Sequence, residues 1–312
     1  MHPNWQQAGR ATLTLSSPFF LHGRHMNPRR LLFAPLLALV TLLSSGCERV
    51  FFTYVNRGVP LPDASAVYAP DRGLSLDVYR PRGVSASAST TSVPVVVFFY
   101  GGAWKMGNRH QYRFVGERLA NNGILTIVAD YRTYPAAGFP AFMDDAADAV
   151  AWAHAHASEY GGDPQRMFIA GHSAGAQIAA LLATDATYLA KRGIQPKQLA
   201  GVIGLSGPYD FNVGKTYASI FGPPSQWPKA QAVNYVNGDE PPFLLIQGED
   251  DHTVAPRNTV ELAGRLRAVH VPVTVALLPG AGHTTTLAGL YSLERAPEVL
   301  PAILGFVQGG SR

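Results

Sequence analysis

Cysteine is nearly absent from this chain: among 312 residues there is one, Cys47. An internal disulfide is therefore impossible, even in an oxidising compartment. Charged residues are also scarce, at 15%, against 47% apolar ones, which leaves ample material for a buried sheet and excludes a disordered chain held open by charge. The formal net charge is +4, but residues 1–46 hold Arg10, Arg24, Arg29 and Arg30 and no acid, so the other 21 bases face 21 acids. The rest of the chain is thus neutral, and it has no Lys/Arg cluster interleaved with aromatics, which argues against nucleic acid as a partner. Neither the His/Cys/Glu spacing of a zinc site nor a phosphate-binding glycine loop occurs, so no metal or organic cofactor is implied. The most apolar run, Leu31 to Leu43, covers thirteen residues, too few to span a bilayer comfortably.

That run instead has the layout of an export leader. Arg29 and Arg30 precede it, and the small residues Ser44, Ser45 and Gly46 follow it before Cys47. Gly-Cys at this place resembles the lipobox of bacterial lipoproteins, with Ser44 where that motif usually has Leu. The expected organisation is a leader over residues 1–46, with the signal proper from Met26 to Gly46, and a catalytic domain over 47–312. Cys47 is then a lipid attachment point, and the exported protein is held on a membrane, at the periplasmic face of the outer membrane in a Gram-negative host.

Downstream, short β-branched or aromatic runs alternate with longer helical patterns, as in a doubly wound, mostly parallel sheet with helices on both faces. Leu74–Tyr79 reads as a member of an antiparallel edge hairpin. Val93–Tyr100, Ile124–Ala129, Arg166–Ala170, Leu199–Leu205, Pro242–Gln247 and Val273–Leu278 read as strands. Helices are expected over Tyr112–Asn122, Pro140–Tyr160, Ala174–Leu189, Asn258–Ala268 and Pro297–Val307, and a flexible small-residue loop over Ser85–Ser92.

Between one such strand and helix lies Gly171-His172-Ser173-Ala174-Gly175, a GxSxG turn. A serine there adopts a tight strand-to-helix geometry that lifts its Oγ above the sheet, and flanking glycines remove the Cβ atoms that would clash. The following helix aims its free N–H groups at the same spot. A lone serine is a weak nucleophile and needs a base and an orienting acid, which in such a fold follow in chain order after later strands. One such loop is Gly248-Glu249-Asp250-Asp251-His252-Thr253-Val254, where Asp250 and Asp251 compete for the acid's role, with Glu249 beside them. The next ends in Gly280-Ala281-Gly282-His283, which makes His283 the base. In Tyr100-Gly101-Gly102-Ala103-Trp104, glycine-freed N–H groups can cradle a developing oxyanion, with Gly102 and Ala103 as donors beside Ala174.

These motifs resemble, in order and spacing over about residues 70 to 307, a known family: YGGAW, DYR at Asp130 to Arg132, FPA at Phe139 to Ala141, GHSAG, GEDD and GAGH. It is the esterase/lipase branch that holds acyl esterases, feruloyl-type esterases, isoprenylcysteine methylesterase and kynurenine formamidase. The resemblance implies the α/β-hydrolase fold and a serine carboxylesterase acting on a small-molecule ester. It also selects Asp251, since the family places its acid three residues after the glycine and three before a valine. Tyr100 stands where the family's HGGxW motif has histidine. The family's short lid-like segment corresponds to Pro208–Glu240, whose aromatics Tyr209, Phe211, Tyr217, Phe221, Trp227 and Tyr235 divide between the lid's own core and a pocket wall. Asp210 and Arg132 are expected to make structural ion pairs. The same triad serves an amidase or arylformamidase, and a scaffold that has lost catalysis and only binds is the alternative from outside enzymology.

Overall fold

A computed structural model describes residues 50–82 and 92–309. The leader, Cys47 and residues 85–91 of the serine-rich loop lie outside the described residues. Eight strands form one sheet: β1 (Ala64–Ala69), β2 (Leu74–Tyr79), β3 (Val93–Phe99), β4 (Leu125–Ala129), β5 (Gly162–His172), β6 (Gly201–Leu205), β7 (Phe243–Gly248) and β8 (Val273–Leu278). Their order is β1-β2-β4-β3-β5-β6-β7-β8. β1 pairs antiparallel with β2, and β2 with β4, while every later pairing is parallel.

Every residue of β4, β6 and β7 is buried, so the sheet is covered on both faces, which is why these strands read as unbroken apolar runs. The cover comes chiefly from α1 (Arg113–Ala120), α2 (Ala141–His156), α3 (Ala174–Thr184), α5 (Arg257–Ala268) and α6 (Val299–Gly309), while α4 (Gly214–Phe221) lies in the segment between β6 and β7. Because connections between parallel strands cross over, successive strands deliver their C-terminal loops to one edge, where ligand sites of open α/β sheets lie.

Two expectations change markedly at one end, and one strand was not expected. The helix begun at Ala174 stops at Thr184 rather than reaching Leu189, and a separate turn covers Thr187–Ala190. The break is Asp185, whose carboxylate accepts from Thr187 N at 3.1 Å and Thr187 Oγ1 at 2.6 Å and so competes with the helical ladder. β5 starts at Gly162, four residues before the expected Arg166, with Val93 opposite Gly162 across an irregularity. The edge partner β1 was not anticipated, because its burial alternates but its sequence does not: in ASAVYA the outward positions include Val67, and the inward ones are Ala64, Ala66 and Tyr68. Among the described residues, no helix is long and apolar enough to cross a membrane.

Candidate active site

Ser173 joins β5 to α3 with φ 55° and ψ −121°, a left-handed conformation that a non-glycine residue holds only under constraint. The constraint is visible on both sides. The Ser173 N–H donates to Leu205 O on β6 at 2.9 Å, and its carbonyl accepts from Ala176 N at 2.9 Å and Gln177 N at 3.1 Å. A Cβ on Gly175 would strike the Phe99 carbonyl, and one on Gly171 would strike Gly175, so the turn closes only with glycine at both positions.

The loop after β3 is bent by positive φ at Gly102 (129°), Ala103 (51°) and Trp104 (57°). Gly102 O accepts from Lys105 N at 2.9 Å and Met106 N at 3.1 Å, and Trp104 O accepts from Tyr134 N at 2.8 Å. The Trp104 indole N–H donates to Gln177 Oε1 at 3.0 Å, while Gln177 Nε2 donates to Ala230 O at 2.9 Å, so one buried amide ties the loop to α3 and to the lid. Among the described residues, the N–H groups of Gly102, Ala103 and Ala174 have no backbone acceptor. Tyr100 has its own brace: it stacks on Tyr131 with centroids 4.6 Å apart, Tyr131 Oη donates to Tyr100 O at 2.8 Å, and Tyr100 Oη donates to Tyr131 O at 3.2 Å.

Asp251 leaves the end of β7 and is 2% exposed. Its Oδ1 accepts from Thr253 N at 2.9 Å and Val254 N at 2.8 Å, and its Oδ2 accepts from Gln247 Nε2 at 2.8 Å. Burial alone pushes this carboxyl up, but the Val254 N–H, then His283 and the Thr253 N–H outweigh it and hold the group below the ordinary carboxylate range. Glu249 and Asp250 are exposed. His283, in the loop after β8, places Nδ1 2.8 Å from Asp251 Oδ2 and Nε2 2.9 Å from Ser173 Oγ. Three residues far apart in sequence thus form one hydrogen-bonded line, and Asp250 is outside it.

The lid segment contributes Phe211, Tyr217 and Phe221, whose rings lie 5.2, 5.5 and 4.8 Å from Trp104. Tyr209 and Phe221 are fully buried, whereas Phe211, Tyr217, Trp227 and Tyr235 are partly exposed and pack against the core. The Arg132 guanidinium donates two hydrogen bonds to Asp145, at 2.9 and 2.8 Å, and its backbone N–H a third at 3.0 Å, while Asp210 lies 3.8 Å from Arg257. Sequence reasoning passed over His172, Gln177, Gln247 and the Ser206–Thr286 hydroxyl pair, joined at 2.9 Å beside the His283 loop. The signal for the first three is a polar residue inside an otherwise apolar element, as with His172 at the end of MFIAGH.

A strand order of this kind, with a strained serine after β5, an acid after β7 and a histidine after β8, defines a protein of the α/β-hydrolase fold. The chain matches the BD-FAE family model over residues 76–266 and belongs to that family. It is 32% identical over 239 residues to esterase LipC of Mycobacterium tuberculosis, covering 70% of this chain and 58% of that protein. To a probable isoprenylcysteine alpha-carbonyl methylesterase of Arabidopsis thaliana it is 28% identical over 273 residues, covering 80% of this chain and 55% of the relative. The chain thus spans little more than half the length of these curated relatives. Its fold is similar to that of an acetyl ester-xyloside bifunctional hydrolase from Caldicellulosiruptor lactoaceticus (TM-score 0.67, 20% identity, 81% of this chain and 99% of that one). It is also similar to that of Thermogutta terrifontis esterase 2 (TM-score 0.65, 22% identity, 80% and 92%).

Proposed function

We propose that the protein is a serine carboxylesterase acting on small to medium acyl or aryl esters through an acyl-enzyme. The observation that carries this reading is the line Ser173 Oγ, His283 Nε2, His283 Nδ1, Asp251 Oδ2, closed by contacts of 2.9 and 2.8 Å, beside the N–H groups of Gly102, Ala103 and Ala174, which have no backbone acceptor among the described residues. As Ser173 Oγ bonds to the ester carbonyl carbon, its proton passes to His283 Nε2, and the imidazolium is stabilised by ionised Asp251. The carbonyl oxygen becomes an oxyanion facing the three N–H groups, where each donor is worth about 2.7–4 kcal/mol. Collapse expels the alkoxide, which takes the Nε2 proton, and water then releases the acid by the same steps. The relatives' names as esterases support ester over amide chemistry, and the completeness of the array supports a working enzyme over a scaffold that only binds. A hydrolysis panel of p-nitrophenyl esters of increasing chain length, run beside feruloyl esters and N-formylkynurenine, tests it. Turnover of the formamide alone would reassign the enzyme as an arylformamidase.

The reading fixes the sign of the pH dependence. Only neutral His283 accepts the serine proton, and Asp251, held below the ordinary carboxylate range, stays ionised throughout. The rate kcat/KM should therefore rise with pH to a plateau. A profile flat from about pH 5 to 8 would remove histidine as the base of a rate-limiting step.

We also propose that Cys47 carries a lipid and holds the exported enzyme on a membrane, with translation starting at Met26 and the signal ending at Gly46. What supports this is the order of Arg29 and Arg30, the apolar run and the small residues before the chain's only cysteine. Full-length protein should fractionate with membranes and carry an acyl mass increment, and Cys47→Ser should lose both. A soluble product that keeps its leader would defeat this proposal and leave the catalytic one standing.

A further inference from the structure

Next to the base lies a second imidazole. His172 ends β5, is 4% exposed, and its ring centroid is 5.0 Å from that of His283, with the planes at 44°. Its Nε2 is 3.1 Å from the carbonyl oxygen of His283. A carbonyl only accepts, so Nε2 carries the hydrogen and donates, and Nδ1 is left as a bare acceptor. That Nδ1 is buried with no hydrogen-bond partner among the described residues, and it faces Gly101: a Cβ built on Gly101 would come within 2.9 Å of it. The ring is thus wedged between the start of the Gly101–Trp104 loop and the loop that carries the base.

We propose that His172 is a positioning residue, a flat wedge that sets the distance between the Gly102 and Ala103 donors and the His283 imidazole and pins the His283 backbone by one hydrogen bond. The inference rests on the ester-hydrolase reading above. The His283 loop needs such a pin, because it is Pro279-Gly280-Ala281-Gly282, two of whose four residues are the least restricted available. Its other ties are Ala281 N to Leu278 O at 3.2 Å, Asp250 N to Ala281 O at 3.0 Å, Thr285 N to Gly282 O at 3.1 Å, Gly282 N to Thr285 Oγ1 at 3.1 Å, and a longer contact of 3.4 Å from Thr286 Oγ1 to the His283 carbonyl, of which only the last reaches His283 itself. The shortest side-chain bond to the His283 main chain is the one from His172. The wedge must also be uncharged, since a cation 5.0 Å away would oppose the imidazolium that forms in turnover. Burial, and then the neighbouring His283, pull the His172 pKa down to about 3 against the opposing pull of the His283 carbonyl, so the ring is neutral wherever the base works.

The test uses the full chain in three variants. His172→Phe keeps a flat ring and deletes the donor, His172→Asn keeps polarity but its amide falls short of the His283 carbonyl, and His172→Gln returns an N–H near the Nε2 position. Each is assayed for kcat and KM on p-nitrophenyl acetate and for the strongly downfield proton resonance of His283 Nδ1–H in its bond to Asp251. A displacement of about 1 Å at the base costs on the order of a hundredfold, so Phe and Asn should lower kcat by about that factor, move KM little, and broaden or lose the resonance. Gln should recover most of both. Two different loss variants guard against a folding failure in either one. Wild-type kcat with an intact resonance in whichever of the Phe and Asn variants folds would overturn the wedge, as would a Gln variant no better than they are. If the wild type turns over no ester, the ester-hydrolase reading fails instead, and the resonance still reports on the wedge.

Discussion

Replacing Ser173 with Ala should lower kcat by about six orders of magnitude, the loss seen when the nucleophile of such a triad is removed, and should abolish covalent labelling by a fluorophosphonate. The expectation follows from geometry, because Ser173 Oγ is the hydroxyl that His283 Nε2 meets, at 2.9 Å. The fold should persist. Ala keeps the backbone of the turn, its Leu205 bond and its place among the flanking glycines, and deletes one half-buried oxygen. Ser173→Gly separates strain from chemistry. At φ 55° and ψ −121° a side chain costs on the order of 1–3 kcal/mol, partly offset by the greater freedom glycine has when unfolded. The Gly variant should therefore be as inactive as the Ala variant yet melt at a higher temperature. Equal labelling of wild type and Ser173→Ala would end the esterase reading. Equal melting of the two variants would show only that the turn holds no strain.

Most of this arrangement was legible in the sequence because it depends on backbone requirements that few residues meet. Gly171 and Gly175 mark a turn that admits no Cβ, and Gly101 and Gly102 mark a loop pressed against the nucleophile turn and against Met106. The strands β3, β4 and β7 announce themselves as apolar runs because both of their faces are covered. What stayed hidden depends on pairings that leave no local pattern. β1 is stabilised by its partner rather than by its own composition, and Asp185 breaks a helix whose propensity would carry it further. His172, Gln177 and Gln247 each sit in an apolar element, where one polar residue is as readily a tolerated exception as a bond to a distant loop. Tyr100 shows the limit of reading by motif. The motif has histidine at this position, and nothing local to Tyr100 announces that its brace comes from Tyr131, 31 residues away.

In the GEDD loop the residues alone leave two carboxylates in contention, the family resemblance selects Asp251, and the geometry places Asp251 against His283. Asp251→Asn should lower kcat by about 10⁴, with Asp250→Asn near wild type. The reason is a proton count at one carboxylate. Asp251 Oδ1 already accepts from the N–H groups of Thr253 and Val254, at 2.9 and 2.8 Å, so an asparagine must keep its carbonyl oxygen there. Its NH₂ then occupies the Oδ2 position, facing the Gln247 amide nitrogen and His283 Nδ1, each of which met the carboxylate at 2.8 Å. A donor facing His283 Nδ1 forces that nitrogen to be the bare one and moves the imidazole hydrogen to Nε2, aimed at Ser173, where it can no longer take a proton. The same NH₂ opposes the Gln247 donor, so the variant should also lose stability, by about 1–3 kcal/mol for an unsatisfied buried group. Asp250 faces solvent, and its backbone N–H, which holds Ala281 O at 3.0 Å, is unchanged by the substitution. Both variants should be measured for kcat and for thermal midpoint on the same preparation. A loss confined to Asp250→Asn would transfer the orienting role to Asp250 and leave Ser173 and His283 in theirs, whereas full activity in both would mean that His283 is oriented by something other than a carboxylate of this loop.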